Sequence, residues 1–519
     1  MATQTQANPP PARQPGSELL SDMMTPPPPA PALLPPISRK KQAGVLVSAF
    51  VTIALTIGYN QTFGVFQQYY LSPSQDVLVL VSSPASQASP PLPPSTALLA
   101  FVGTLCYGLT WAGSIFVSPV ISRIEHGTWA PGSSSTTTTT STRRRLLFWR
   151  HRRILRLLTP RTITISGVLV MSAGFTLASF SRSVWQLLLT QGFLVGLGMS
   201  LLYFPFLNPA PEYFTNHRGT AMGFILAGGG VGGLIFSPVI QALLSSVGGR
   251  WTLRIYAVFN IIAGLPTAWA VPRSRFAAVS TADGPERRNT HVSRALAVTP
   301  AFLFSVVAAF LQVLHLILST IAKPFQSAGA QLPLSFIPSY TVVLGLTASK
   351  GANLLAASNA INAASRVLTG YAGDRLGRQN TLLLTMFLAV LSVFSFWLTS
   401  VLATTTATSS SLSLSLWVAF IALYSFSIGG YYALFPAFIA EVFGIRQYAA
   451  VNAFILFVRG LGTMFGSPVG GRLLGSSEEG TRAYASIAYW DGALLVGATV
   501  CCVGVRWADG KGKGWKWIA

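Results

Sequence analysis

The sequence predicts an all-α polytopic membrane protein of about twelve spanning helices in two six-helix bundles, and three observations carry that prediction. The first is composition: of 519 residues, 51% are hydrophobic and 9% charged, with a mean hydropathy of +0.53, where a soluble chain carries about 25% charged residues. The second is a series of apolar runs near the roughly 20 residues that a bilayer crossing needs. The third is an internal repeat. The segment LLYFPFLNPAPEYF at 201–214 is echoed by YALFPAFIAEVFG at 432–444, and each is followed by FIL and then SPV. Pro205 to Pro436 is a step of 231 residues, and Phe224 to Phe454 and Ser237 to Ser467 are each 230. A constant offset through three landmarks is the mark of duplicated halves, as in transporters that rock two bundles about a central site.

Taken in order, residues 1–41 read as a disordered cytosolic tail, rich in Pro, Ser, Gln and Ala and without the basic start and apolar core of a cleavable signal. Arg39, Lys40 and Lys41 precede the first apolar run, from 42 to 66, and hold the tail inside. Further spans are expected at 95–120, 162–181, 184–206, 219–243 and 252–271, completing an N-terminal bundle over 42–271. A central cytosolic loop follows at 272–298. The second bundle, 299–505, has spans at 299–318 with a continuation at 332–345, then 349–371, 381–401, 413–438, 448–471 and 485–505. Residues 506–519 form a cytosolic tail.

Lys and Arg number 35 against 13 Asp and Glu, a net charge of +22. These basic residues lie between the apolar runs, so the bilayer's anionic headgroups, not nucleic acid, are the expected partner. Arg143, Arg144, Arg145, Arg150, Arg152, Arg153, Arg156 and Arg161, then Arg273, Arg275, Arg287 and Arg288, then Arg375 and Arg378 fall in the loops on one side. The stretches 67–94 and 402–412, on the other side, hold neither Lys nor Arg. That asymmetry and an even span count place both termini in the cytosol, in the plasma membrane, with a vacuolar or other organelle membrane as the alternative.

Enzyme and pump chemistry find no foothold. Cys106, Cys501 and Cys502 sit in apolar runs as packing thiols, and His151, His217, His291 and His315 are scattered without metal-ligand spacing. The glycines Gly228, Gly229, Gly230, Gly232 and Gly233 lie in apolar sequence with no Lys-Ser or Lys-Thr pair, so they read as close helix contact, not a nucleotide loop. No nucleophile elbow is present. Neither a metal nor a cofactor is expected.

The stretch RVLTGYAGDRLGRQN at 366–380 reads as a helix end punctuated by Gly370 and Gly373, leading into a turn with Asp374, Arg375, Gly377 and Arg378. An acidic group there can meet the dipole or charges of a neighbouring helix, while the arginines hold the turn at the anionic surface. This pattern resembles the loop motif of the major facilitator superfamily. The runs YNQTFGVFQQYY at 59–70, GFLVGLGMSLLYFP at 192–205 and FIPSYTVVLGL at 336–346 are similar to its monocarboxylate-transporter-like branch, especially fungal members, and the likeness covers nearly all of 42–505. The resemblance implies a twelve-helix fold, alternating access, and transport of a small, often anionic, metabolite, with a proton in many members. Animal members of that branch carry an acidic residue four positions before the arginine that Arg366 matches, and a lysine in the first helix. This chain has Asn362 and Gln61 there, and neither amide can carry a proton at neutral pH.

Among candidate substrate-binding residues, Arg459 lies near the middle of its span. A charge there costs about 2.5–3.5 kcal/mol on insertion scales and needs a wet cavity or a partner such as Asp491. Arg366 is expected about one turn from the cytosolic end, within reach of the interface. Asn60, Gln61, Asn359 and Asn362 give the first and eighth spans polar faces that serve either substrate or helix packing. Tyr203, Tyr431 and Tyr432 stand beside the repeated Phe-Pro pairs, where rings stack on a solute or cover the proline breaks.

The expected function is a secondary active or facilitative transporter of a small organic solute, a symporter or a uniporter, driven by gradients. A secondary-metabolite exporter and a transport-dead sensor are the alternatives. Two segments fit this plan poorly. Residues 124–153 enlarge a short loop, and 316–331 overextend the seventh span; both read as insertions, or as translated intron sequence that the mature transcript would lack.

Overall fold

The computed structural model describes residues 37–72, 74–78, 96–125, 159–214, 217–275, 292–311, 332–403, 410–473, 481–482 and 484–514. The tail before residue 37, the inserted segments from 126 to 153 and 316 to 331, and the arginines between them and the spans lie outside these residues. In chain order the helices are α1 (Arg39–Leu71), α2 (Thr96–Ala112), α3 (Ser114–Glu125), α4 (Pro160–Ala178), α5 (Val184–Glu212) and α6 (Arg218–Trp269). The second half holds α7 (Pro300–Leu311), α8 (Leu332–Val343), α9 (Ala348–Leu376), α10 (Arg378–Ala403), α11 (Ser410–Val442), α12 (Ile445–Leu473) and α13 (Ala485–Lys513).

Eight helices among the described residues are long and apolar enough to cross a membrane, so the expected twelve crossings are visible only in part. One of the eight accounts for two runs. At 1.5 Å per residue α6 would measure about 78 Å, over twice a hydrocarbon core. It breaks at Gly248, where φ is 79°. Asp76 receives the N–H groups of Gly249 at 2.8 Å and Arg250 at 3.3 Å, which caps the helix that starts again there. Elsewhere local chemistry sets the ends. Thr159 and Thr162 form a reciprocal capping box with Pro160 at the first turn of α4, and Gly377, at φ 94°, divides α9 from α10.

Each half buries its own apolar core. Tyr59, Phe66, Phe175, Leu187 and Tyr256 pack in the first half, joined by a layer around Trp111, Tyr203 and Met222. Trp397, Trp417, Phe420 and Tyr424 form the core of the second, beside a layer around Met386, Phe435 and Ile455. Outward-facing Leu, Phe and Val residues cover the rest, the expected face toward lipid. Two arginines over aromatic rings mark the ends of the first half: Arg254 lies over Phe180 at 4.7 Å and Trp251 at 5.0 Å, and Arg161 lies over Trp269 at 5.2 Å. Trp251 and Trp269 are eighteen residues apart on one helix, about 27 Å, close to the thickness of a hydrocarbon core.

The halves meet along α6 with α9 and along α2 and α3 with α12. Gly219 and Gly370 face each other so closely that a Cβ on Gly370 would lie 2.4 Å from the Gly219 carbonyl oxygen. On the other seam the Ser114 hydroxyl donates to the Ala453 carbonyl at 2.6 Å. Helices in lipid gain from such approach through packing, not through apolar burial.

Three expectations are corrected. The helix does not end around Gly370 and Gly373 but continues to Leu376, so Asp374 and Arg375 lie on its last turn while Arg378 starts α10. Arg366 is ten residues from that end and 3% exposed, too deep to reach the interface. Asp491 is fully buried, and among the described residues neither carboxyl oxygen has a hydrogen-bond partner; it does not pair with Arg459.

Candidate functional site

A small cavity, of about 30 Å³, lies between the halves. α2 contributes Tyr107 and Trp111, α5 contributes Tyr203, α9 contributes Arg366, α11 contributes Tyr432, and α12 contributes Asn452 and Arg459. Leu226 and Leu456, the same position of the internal repeat, line it from the two halves. The repeat is broken where charge enters: the counterpart of Arg459 is Gly229, and a Cβ at Gly229 would stand 3.1 Å from the Arg366 Nη1. The missing side chain leaves room for the second guanidinium.

Arg366 donates from Nη1 to the Leu226 carbonyl, while its Nε is buried without an acceptor among the described residues. Its Cζ lies 5.1 Å from the Tyr432 ring centre. Arg459, 5% exposed, sits at the middle of α12, with Cζ 4.7 Å from the Tyr432 ring, 5.1 Å from Trp111 and 5.8 Å from Tyr431. Among the described residues no hydrogen bond reaches its guanidinium. Trp111 Nε1 and both amide atoms of Asn452 are likewise buried without partners. Orphaned buried polar groups are costly, and this group of them, mostly donors, surrounds one space. Among the described residues no carboxylate lines it, so the site has donors and cations in excess and aromatic walls on which a flat group can rest.

The other expected residues separate. Asn60 donates to Thr110 Oγ1 at 3.5 Å and Met199 Sδ at 3.4 Å within the first half, and Asn362 donates to the Ser425 carbonyl at 3.3 Å within the second. Gln61 faces Gly233, and Tyr431 lies behind Tyr432; neither lines the cavity. Sequence reasoning missed Trp111, Tyr107 and Asn452. Asn452 was within reach, since it lies seven residues before Arg459 and so two turns along the same face. Nothing in the sequence marks the two α2 aromatics apart from their neighbours.

A second polar cluster lies where α9 ends. Asp374 accepts the Gly219 N–H at 2.9 Å, the Thr220 N–H at 2.8 Å and the Thr220 hydroxyl at 2.8 Å. A carboxylate on the first turn of α6 also meets the positive end of that helix. Arg378 reaches Asp374 at 3.0 Å and Glu441 at 3.2 Å. Arg375 stays exposed, its Cζ 5.3 Å over the Tyr371 ring. Among the described residues, no group of His, Cys, Asp and Glu could hold a metal.

Comparison with known proteins agrees with this architecture. Residues 153–467 match the Major Facilitator Superfamily. The chain is 25% identical over 468 residues to MFS-type transporter 1 of Ophiocordyceps sp. (strain BCC 1869), covering 89% of this chain and 85% of that one. It is 25% identical over 343 residues to the fujikurins efflux protein of Gibberella fujikuroi, 66% of each chain. The crystal structure of the human organic anion transporter MFSD10 (TETRAN) superposes with a TM-score of 0.53 at 12% identity, over 89% of this chain and 99% of that one. At that identity the likeness concerns the fold alone.

Proposed function

This chain belongs to the Major Facilitator Superfamily, and on that premise we propose that it exports a small organic anion by alternating access through the central cavity. The observation that carries this reading is the donor set around that cavity: Arg366 Nε, Trp111 Nε1 and the Asn452 amide nitrogen have no partner among the described residues, and the Arg459 guanidinium stands beside them with no carboxylate among the described residues lining the space. An anion satisfies such donors; a neutral or cationic solute leaves the buried charge uncompensated. A monocarboxylate-like metabolite is one such anion. The export direction is supported by the efflux role in the name of the Gibberella fujikuroi relative.

In the cycle, Asp374 acts as the latch on the side that the charge pattern assigns to the cytosol. With Asp374 seated on the α6 N-terminus, the halves are drawn together at Gly219 and Gly370, and substrate enters from that side only after the carboxylate leaves. Gradients drive the cycle. Asn362 and Gln61, which stand where the monocarboxylate branch carries titratable groups, favour movement without a proton at those positions; they equally suit a sensor that moves nothing.

The test is transport by purified protein in liposomes, with labelled aromatic and aliphatic carboxylates and their amides. Saturable movement of acids but not amides is expected. Movement of amides at equal rates rejects the anion reading, and no movement of any solute, with signalling intact in cells, favours the sensor.

A further inference from the structure

Both guanidiniums flank one ring: the Cζ atoms of Arg366 and Arg459 lie 5.1 and 4.7 Å from the centre of Tyr432. We infer that the cavity takes an organic dianion, a flat conjugated solute with two acidic groups, one for each arginine; this rests on the anion reading above and specifies its substrate class.

Charge balance leads to this conclusion. Arg366 and Arg459 are 3% and 5% exposed and line the same space, and among the described residues no Asp or Glu lines it with them. Asp491, a buried carboxylate of the second half, belongs elsewhere: its neighbour Gly492 faces Phe394, and its own oxygens meet no described donor. A ligand with one negative charge leaves one buried guanidinium without a counterion, and a buried uncompensated charge is the costliest outcome at such a site. Two acidic groups compensate both and also accept from Trp111 Nε1 and the Asn452 amide, which no described residue satisfies. The Arg366 to Leu226 carbonyl bond uses one donor edge and leaves Nε for the ligand. The aromatic walls, Trp111, Tyr203 and Tyr432, favour a planar frame between the acids.

The experiment measures binding to the purified full chain by quenching of tryptophan fluorescence, using isophthalate, benzoate and the neutral isophthalamide, each with and without chloride. Isophthalate is expected to bind about tenfold or more tighter than benzoate, the increment of one added charge-assisted hydrogen-bonded pair. Arg366→Gln should bring isophthalate down to the level of benzoate. Equal binding of the two acids, with the amide excluded, overturns the dianion while leaving the anion reading intact. Chloride that raises benzoate to the level of isophthalate also overturns it, because the second charge is then inorganic. Amide binding equal to that of the acids removes the anion reading itself, and failure of the wild-type protein to bind isophthalate rejects the dianion. The preference is read first on the unaltered protein, so a variant that misfolds does not decide it.

Discussion

Asp374 accepts both the backbone N–H and the hydroxyl of Thr220, each at 2.8 Å, so one carboxylate at the end of α9 holds the first turn of α6 from the opposite half. The contact joins the halves at the glycine pair where their backbones come closest. Separating the halves there removes every one of these bonds at once.

Asp374→Asn keeps the shape but loses the charge that meets the helix end and Arg378. Turnover should fall by about tenfold, the size of one charge-assisted contact, while substrate affinity stays within about twofold. Rates and binding in liposomes check this; loss of affinity with unchanged turnover contradicts the latch.

The latch should also be insensitive to pH near neutrality. Burial raises the Asp374 carboxyl, but the Thr220 N–H and hydroxyl, the Gly219 N–H and Arg378 outweigh it and hold the group below the usual carboxylate range. A group depressed in the closed state stabilises closure fully above its ordinary value, and that stabilisation is lost as pH falls through the lowered one. Labelling of a single cysteine placed near Gly370 should therefore be flat between about pH 5 and 8 and rise only below about pH 4. A rise already at pH 6 assigns the switch to another group.

Gly370→Ala tests the close approach. Its Cβ would stand 2.4 Å from the Gly219 carbonyl oxygen, so the seam must open or shift, at a cost of about 1–3 kcal/mol to the closed arrangement. The same labelling should increase severalfold. An unchanged pattern means the backbones separate without resistance.

Arg459→Ala should abolish transport while the protein reaches the membrane in normal amount. Removing a buried cation that has no carboxylate partner relieves a folding cost instead of adding one, so thermal stability should hold or rise. Full activity in this variant rejects the anchor role.

Several features of the fold were legible because they are local properties of the chain. Apolar run length marked α1, α4, α5, α10, α11 and α13, and the repeat at 201–214 and 432–444 announced two halves. Helices α9 and α12 are less apolar, and their polar residues are also the ones that face the cavity or the seams. The position of Arg366 was misjudged for a related reason. Gly370 and Gly373 look like the end of a helix in sequence, yet they are packing surfaces within α9, and the true end falls at Gly377.

The sequence by itself determined a membrane-embedded helical protein with duplicated halves and an acidic–basic motif between two spans, since hydropathy, repeat spacing and turn chemistry act over a few residues at a time. Only the tertiary structure decided which polar groups belong together. Trp111, Arg366, Tyr432 and Arg459 come from four helices, one in the first half and three in the second, and each helix's rotation is set by the small residues on which it packs. The same rotation turned Asn60 and Asn362 toward hydrogen bonds inside their own halves, a result no single-helix pattern contains.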